Sequence, residues 1–241
     1  MLRVLLSPSK EQSYKEEAVD DMKMLPFLKQ TKTLVNHIQA FSKEDLGKIM
    51  NIKNDILDRV YETYQNFGHT GIRPAIQAYS GLAFRQIPVE AYSDDALNYL
   101  EDHVRILSAL YGILTPLTGI SAYRLDMKMK VIEDSLYAFW KNDLSHPFDD
   151  GDIVINLASK EFSRLVKMPM VTVEFKEYKN GKLKTIGTNA KKARGMMVHY
   201  MVENRIESVE ALKGFNKEEW CYDDSLSSDK TMIFTRGNAN A

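Results

Sequence analysis

Residues 152–161 read Asp-Ile-Val-Ile-Asn-Leu-Ala-Ser-Lys-Glu, a short apolar run that gives way to polar residues. The run follows the turn-forming Asp149-Asp150-Gly151 and has the length of a strand buried inside a sheet. A short helix is expected to begin directly after it. The polar residues at this junction are Asn156, Ser159, Lys160 and Glu161. The junction between a buried strand and a helix is a common place for ligand-binding groups, although an ordinary N-cap role is the first expectation for Ser159.

Further strands and helices are predicted on both sides of this stretch. Apolar runs and alternation predict strands at 2–6, 171–175 and 231–235, and Asn180-Gly181 predicts a type I′ hairpin turn. Residues 104–111 would suit a continuation of the preceding helix or a buried strand, and we favour the strand. Apolar residues at helical spacing predict helices near 28–38, 57–67, 93–100, 160–165, 189–201 and 208–214. Because helices and strands interleave and one hairpin is antiparallel, we predict a mixed-sheet α/β (α+β) fold. It comprises one domain over residues 1–241, with a central mixed β-sheet and flanking helices.

The composition is that of an ordinary globular protein, with 44% hydrophobic and 27% charged residues among 241 and a net charge of −1. The single cysteine, Cys221, excludes an internal disulfide and indicates a reducing compartment. We expect it to be a buried, inert thiol in a strand. The N-terminal apolar run is too short for a signal peptide, and no stretch has the length of a membrane helix. We therefore predict a cytoplasmic protein that does not associate with membranes.

Recognisable cofactor and metal motifs are absent from the sequence. The five histidines are scattered and show no metal-ligand spacing; they are His37, His69, His103, His146 and His199. The sequence also lacks a Walker A loop, a G-x-G-x-x-G fingerprint and a G-x-S-x-G elbow. We therefore expect no cofactor, no metal site and no obligate protein partner.

Basic residues cluster in the stretch 176–194, where seven Lys and Arg side chains accompany a single acid, Glu177. For the hairpin lysines of this cluster, solvated surface charge is an equally good explanation. The helix predicted to begin near residue 189 is more informative. Its first turn is expected to contain Lys191, Lys192 and Arg194. The helix dipole disfavours cations there, so a bound anion would explain them. Gly195 is expected to allow a close backbone approach.

Two more polar loops are predicted to meet this cluster. Arg124 and Asp126 are two residues apart in an extended segment, so their side chains point the same way. Asp126 could form a local ion pair with Arg124, or it could orient Arg124 for a bidentate contact with phosphate. Ser7 and Lys10 follow the first predicted strand, as Ser and Lys follow the strand before residue 158. This recurrence indicates that the loops converge on one cleft.

The same segments, taken in order, resemble the YaaA peroxide-stress family. The segments are Ser-Pro-Ser-Lys (7–10), Leu-Ser-Ala-Leu-Tyr-Gly-Ile-Leu-Thr-Pro-Leu (107–117), Tyr-Arg-Leu-Asp-Met (123–127), Phe-Trp (139–140), Asn-Leu-Ala-Ser-Lys-Glu-Phe (156–162), Ala-Lys-Lys-Ala-Arg-Gly (190–195) and Val-Glu-Asn-Arg-Ile (202–206). The resemblance covers nearly the whole chain. The sequence departs from the family at Thr115 and Thr118, near a Pro-Leu pair that Arg and Asp usually accompany, and at Asp126, where Glu is usual.

The resemblance implies a cytosolic protein of the response to hydrogen peroxide that binds DNA and limits iron-driven damage to it. The implied partner is duplex, branched or damaged DNA, held in a basic cleft. A helix-hairpin-helix element is also implied, with 41–67 as its candidate and Asn51 and Lys53 in place of the usual glycines. The residues expected to contact DNA are Lys10, Asn51, Lys53, Tyr123, Arg124, Lys160, Lys191, Lys192 and Arg194. Other polar residues expected in the cleft are Ser7, Asp126, Asn156, Ser159 and Glu161. The family has no established catalytic residues, so none is assigned.

Two functions stay open from the sequence. The first is a DNA-binding protein without enzymatic activity. It would contact the backbone with little sequence preference, because no helix rich in base-reading Arg and Asn is present. The second is an enzyme that acts on a nucleotide or a modified nucleobase in the same cleft, since carboxylates beside basic residues suit acid–base chemistry. A long open groove would favour DNA binding, and a deep narrow pocket would favour the enzyme.

Overall fold

Over the residues that the computed structural model describes, 1–13, 24–69 and 71–237, the chain forms an eight-stranded mixed sheet and a two-stranded one. Residues 14–23, 70 and 238–241 of the predicted domain lie outside the described residues. The strands are β1 (Leu2–Leu6), β2 (Arg73–Pro74), β3 (Val104–Ser108), β4 (Gly112–Leu114), β5 (Gly119–Ile120), β6 (Ile153–Asn156), β7 (Met170–Lys179), β8 (Lys182–Lys184), β9 (Cys221–Tyr222) and β10 (Thr231–Arg236).

The middle of the large sheet is parallel. Its strand order is β4-β3-β1-β6-β7-β10-β9, and β8 pairs with the C-terminal part of β7. Parallel pairing joins β3, β1, β6, β7 and β10, whereas β4, β8 and β9 are antiparallel additions. β1 and most of β6 are buried, as parallel strands covered on both faces usually are. The predicted mixed-sheet α/β domain is confirmed, and β2 and β5 pair in the small separate sheet.

Helices flank the sheet at most of the predicted positions. They are α1 (Leu28–Gln39), α2 (Lys43–Met50), α3 (Asn54–Gln65), α4 (Ala75–Ala78), α5 (Asp94–His103), α6 (Leu136–Phe139), α7 (Lys141–Leu144), α8 (Lys160–Ser163), α9 (Gly187–Asn204) and α10 (Val209–Leu212). Ser93 caps α5 as expected, because its side chain accepts a hydrogen bond from the Ala96 N–H. The Asn180-Gly181 hairpin turn is confirmed, since both residues have positive φ, at 53° and 66°.

Three local predictions are wrong. The strand expected over 104–111 ends at Ser108, because the Ser108 side chain accepts hydrogen bonds from the next turn and Gly112 then begins β4 with a φ of 78°. Helix α9 begins at Gly187, two residues before the predicted start. Cys221 does lie in a strand, but β9 is at the edge of the sheet and the cysteine is exposed.

The candidate helix-hairpin-helix stretch contains α2 and α3, joined by a short connection at 51–53. Asn51 ends α2 in the left-handed conformation with a φ of 50°, and Asn54 also has positive φ, at 52°. Residues 41–67 hold five acidic and four basic side chains, and two of the basic ones, Lys43 and Lys48, are already paired with carboxylates on these helices. The helices are therefore present without a basic surface. The helix-hairpin-helix motif and its contact with DNA stay predictions.

Two glycines let neighbouring segments approach at the carboxyl end of the parallel strands. A Cβ on Gly195 of α9 would lie 1.9 Å from the Ala83 carbonyl oxygen, so this helix can meet the 81–84 segment only with glycine there. A Cβ on Gly81 would lie 2.2 Å from the Ser9 hydroxyl oxygen, in the loop after β1. The close approach predicted for Gly195 is confirmed, and the partner is the protein's own backbone.

The loops after β1 and β6 leave the sheet in opposite directions. β1 and β6 are neighbours, but the chain goes from β1 to β3 on one side and from β6 to β7 on the other. Such a reversal opens a crevice at the carboxyl ends of the two strands, and open α/β sheets bind their ligands there. The topology therefore marks the edge beyond Leu6 and Asn156 as the place to look for a site.

Candidate functional site

A cleft of about 370 Å³ lies at this edge of the sheet. It is bounded by the loop after β1, the segment 81–84, the extended segment 123–126, the loop and helix after β6, and α9. The predicted residues that line it are Ser7, Lys10, Tyr123, Arg124, Asp126, Ser159, Glu161, Lys191 and Arg194. The separate polar loops therefore line one cavity, and its role as a basic binding cleft stays a prediction.

The remaining predicted residues lie elsewhere. Asn156 and Lys160 line a second cavity of about 320 Å³, and Arg194 borders both cavities. Lys192 lines neither of these two cavities. Asn51 and Lys53 are exposed in the connection between α2 and α3, and they are not part of the cleft lining. The sequence therefore predicted the cleft more completely than it predicted the residues of this second cavity.

Two serines join the loops after β1 and β6. The Ser7 hydroxyl oxygen accepts a 2.8 Å hydrogen bond from the Ser159 N–H, and the two hydroxyl groups are 3.2 Å apart. Ser159 does occupy the N-cap position of α8, but its side chain makes no capping hydrogen bond. Its hydroxyl instead faces Ser7 at the cleft, so the expected cap role is wrong for the side chain. The pair fixes the spacing of the two loops that form the cleft floor.

Arg124 and Asp126 point into the cleft together, but they do not pair with each other. Asp126 accepts a 2.5 Å hydrogen bond from Lys10 Nζ. Among the described residues Arg124 has no ion pair, and its buried Nε has no hydrogen-bond partner. The predicted ion pair between Asp126 and Arg124 is therefore wrong, and so is the prediction that Asp126 orients Arg124, because the Asp126 carboxylate is hydrogen-bonded to Lys10 instead. Arg124 is left with an unused donor at the cleft wall.

Arg194 has the same unusual environment. Its Nε is buried and has no hydrogen-bond partner in the described part of the chain. Burial lowers the pKa of Arg194, and the negative charge of Glu174 in the second cavity opposes that shift. A buried guanidinium N–H without an acceptor is costly, and this cost falls when an anion binds. Arg124 and Arg194 thus line one cleft, each with a guanidinium group whose Nε has no acceptor among the described residues.

The helix dipole gives no reason to expect a bound anion at Lys191 and Arg194. Since α9 begins at Gly187, Lys191 and Arg194 lie in its second turn and beyond. The prediction that they stand in the first turn, where the helix dipole disfavours cations, is therefore wrong. Two other charges of the 176–194 stretch are paired with residues outside it: Lys176 pairs with Glu174, and Glu177 with Arg236. Arg194 differs from these paired residues because its Nε is buried beside the cleft and has no hydrogen-bond partner among the described residues.

The charge of the cleft follows from which of its side chains are paired. Its lining includes the basic residues Lys10, Arg124, Lys191 and Arg194 and the acidic residues Glu11, Asp126 and Glu161. Lys10 is paired with Asp126, and Glu11 with Arg85 outside the lining. Among the described residues this leaves three unpaired cations and one unpaired carboxylate. The unpaired groups sum to a charge of about +2 at neutral pH.

A buried hydroxyl network supports the cleft from beneath. The Tyr123 hydroxyl is 2.7 Å from that of Tyr79 and 2.9 Å from that of Ser108. Burial raises the pKa of Tyr123 to about 12, against the effect of these two hydrogen bonds. Tyr123 therefore stays protonated at neutral pH and serves as a neutral donor and acceptor in the cleft wall.

Sequence reasoning missed the apolar wall of the cleft. Leu82, Ala83 and Phe84 line it together with Phe162. Gln12 was also missed, although its side-chain oxygen accepts a 3.1 Å hydrogen bond from the Tyr123 N–H. Gly81 was the one available signal, since a glycine after a serine marks a tight loop, but nothing in the sequence connects that loop to α9.

Among the described residues, no three His, Cys, Asp or Glu side chains come together in a way that could hold a metal ion. None of the helices in this part of the chain has the length and apolarity needed to cross a membrane.

Comparisons with known proteins identify the family. The family model described as peroxide stress protein YaaA matches residues 2–226. A UPF0246 protein of Crocosphaera subtropica is 38% identical over 87% of this chain and 90% of its own length. A UPF0246 protein of Fusobacterium nucleatum is 34% identical over 99% of this chain and 100% of its own length. One from Rickettsia peacockii is 36% identical over 96% and 98%, respectively. The chain belongs to the peroxide stress protein YaaA family.

Proposed function

We propose that this peroxide-stress protein works in the cytoplasm by binding DNA in the cleft and thereby limiting iron-driven damage to it. The observation that carries the proposal is that Arg124 and Arg194 line the cleft without an ion pair, each with a guanidinium group whose Nε has no acceptor within the described residues. Guanidinium groups bind phosphate oxygens through two parallel hydrogen bonds, and a phosphate is therefore the ligand that such donors fit best. Lys191, exposed at the rim, adds a mobile positive charge.

Backbone phosphates would supply most of the affinity. Phosphate contacts position a protein on DNA but carry no sequence information, so binding is expected to be largely independent of sequence. The affinity should then fall with salt, because each neutralised phosphate releases counterions with a log–log slope of about −0.9.

The test is a titration of labelled duplex and bubble DNA by fluorescence anisotropy at several salt concentrations. The double variant Lys191→Ala/Arg194→Ala should bind more weakly on all sequences and flatten the salt slope by roughly two units. The matched control is Lys29→Ala/Lys32→Ala, which removes two exposed charges from α1, away from the cleft. That control should keep the wild-type slope. Absence of binding at low salt, or equal losses in both double variants, would refute the proposal.

The compact shape of the cleft favours a second function. Its volume of about 370 Å³ is in the range of small-ligand pockets, and the apolar wall at Leu82, Phe84 and Phe162 suits a planar base. Glu161 is an unpaired carboxylate in the same cleft, where it could exchange a proton with a bound substrate. An enzyme that acts on a nucleotide or a modified nucleobase is therefore the alternative.

Thermal-shift screening against nucleotides and nucleobases tests this alternative. A stabilising compound should be consumed on incubation with the protein, and Glu161→Gln should stop its consumption while the thermal shift persists. If no compound raises the melting temperature, the enzymatic function loses its support.

A further inference from the structure

The size of the cleft restricts which part of a nucleic acid can enter it. A volume of about 370 Å³ accommodates a nucleotide-sized ligand, so only an end or a single nucleotide of a bound DNA molecule can enter the cleft, and the rest of the duplex lies outside it. The 81–84 segment lines one side of the cleft, where Gly195 and Gly81 allow it to approach α9 and the loop after β1 closely. A continuous strand needs an entrance and an exit, but a strand end or a free nucleotide needs only an entrance.

The charge of the unpaired groups matches a doubly charged anion. Arg124, Lys191 and Arg194 outweigh Glu161 by about two charges, since Lys10 and Asp126 neutralise each other. A terminal phosphate monoester carries about −1.5 to −2 at neutral pH, whereas an internal phosphodiester carries one negative charge. The monoester is therefore the better electrostatic complement of this cleft.

The hydrogen-bond donors of the cleft also favour a phosphate monoester. The buried Nε groups of Arg124 and Arg194 belong to different segments of the chain, and each guanidinium presents a fork of N–H groups. A monoester has three terminal oxygens and can accept from two forks and from Lys191 at once. A diester within a strand has only two non-bridging oxygens, so it offers these donors fewer acceptor sites.

We propose that the cleft recognises the phosphate monoester of a nucleotide, either a free nucleoside monophosphate or the phosphorylated end of a DNA strand. Arg124 and Arg194 hold the phosphate, and the apolar wall at Leu82, Phe84 and Phe162 receives the attached nucleoside. The DNA source rests on the proposed function, and the free nucleotide does not. Radical attack on deoxyribose breaks strands and leaves phosphate-bearing ends, so a phosphorylated end is also a ligand that peroxide and iron produce.

The experiment compares DNA hairpins of one sequence with an internal fluorophore and different ends. The ends are 5′-phosphate, 3′-phosphate, hydroxyl groups only, and none at all in a covalently closed dumbbell. Nucleoside monophosphates and the corresponding nucleosides are titrated in parallel by calorimetry. Phosphorylated ends or monophosphates should bind on the order of tenfold more tightly than their hydroxyl counterparts, since two charge-assisted forks are gained.

Conservative variants test the assigned residues. Arg124→Lys and Arg194→Lys keep the positive charge but lose the fork, so they should abolish the preference for phosphorylated ligands. The Lys29→Ala/Lys32→Ala control should retain that preference. Circular dichroism and melting curves of each variant establish that it is folded.

The outcomes separate the two proposals. Equal binding of all four hairpins, with no binding of monophosphates, would leave DNA binding intact and overturn the monoester. Binding of monophosphates without binding of any DNA would support the monoester and reject the DNA-binding function. A preference for phosphorylated ends that survives in both Lys variants would overturn the assignment of the two arginines.

Discussion

At the residue scale, the two arginines of the cleft can be recognised as functional because each has a buried polar group without a partner, which lowers the stability of the folded protein. Arg124 and Arg194 bury an Nε–H that nothing in the described part of the chain accepts. Buried polar groups are almost always satisfied, and an unsatisfied one normally indicates a missing ligand or water. The folded protein without ligand is therefore less stable than it would be with apolar side chains at these positions.

Replacement of Arg194 by methionine tests this cost. Arg194→Met keeps the length of the side chain and removes the unsatisfied donors, so the free energy of unfolding should rise by roughly 1 kcal/mol while ligand binding is lost. Urea unfolding of the ligand-free protein measures the change. Lys191→Met is the control, because this exposed position should change stability by no more than about 0.5 kcal/mol. A clear loss of stability in Arg194→Met would show that the guanidinium is a structural group.

Gly195 gives a second prediction at this scale. Its Cβ position lies 1.9 Å from the Ala83 carbonyl oxygen, so Gly195→Ala must push α9 away from the segment that forms the cleft wall. We expect a loss of about 3 kcal/mol in the free energy of unfolding, or a protein that does not fold. Gly187→Ala in the same helix has open space around it and should be neutral or stabilising by about 0.5 kcal/mol. Similar melting temperatures for the two variants would contradict the close packing.

At the element scale, β1 and β6 are tied together at both ends. Ser7 and Ser159 join their carboxyl ends at the cleft, and Arg3 donates a 2.8 Å hydrogen bond to Asp152 near the other end of the pair. Burial alone would raise the pKa of Asp152, but the hydrogen bonds and charges of Arg3 and of the N-terminal ammonium group outweigh it and hold that pKa below its usual value. The ion pair is therefore one of the contacts that fix the position of the two strands carrying the cleft loops.

The stability from Asp152 should depend on pH with a defined sign. Since the folded-state pKa is lowered, the contribution is complete above the unfolded value of 3.8 and disappears as the pH falls through the folded-state pKa. Asp152→Asn should lower the free energy of unfolding by roughly 1 kcal/mol at pH 7, and the difference from wild type should shrink below about pH 4. Urea unfolding at pH 7, 5 and 3 measures this. The control is Asp150→Asn, which changes an exposed neighbouring carboxylate and should have the same free energy of unfolding as wild type at each pH. A loss of unfolding free energy in Asp152→Asn that does not change with pH would contradict a stabilising ion pair.

At the scale of the whole molecule, the sequence predicted the sheet and most of the cleft for one physical reason. Buried parallel strands have a recognisable pattern, and the residues after them must meet at one edge of the sheet. Ser7, Ser159 and Glu161 were therefore found from their positions after strands. Arg124 and Asp126 were placed on one side of their segment by the two-residue period of an extended chain.

The parts that the sequence did not predict depend on contacts between distant segments. Asp126 pairs with Lys10 and leaves Arg124 without a carboxylate, which no local spacing determines. The Nε of Arg194 is buried, which the sequence does not show, and the close approach predicted at Gly195 did not identify the 81–84 segment as the partner. Asn156 lies at the strand end but borders the second cavity, since consecutive residues point to opposite faces of a sheet.

A crystal structure of the protein with a short 5′-phosphorylated oligonucleotide tests the proposed site most directly. We expect the terminal phosphate in the cleft between the loops after β1 and β6, within hydrogen-bond distance of the guanidinium groups of both Arg124 and Arg194. Ordered DNA along the connection between α2 and α3, with no phosphate in the cleft, would contradict it.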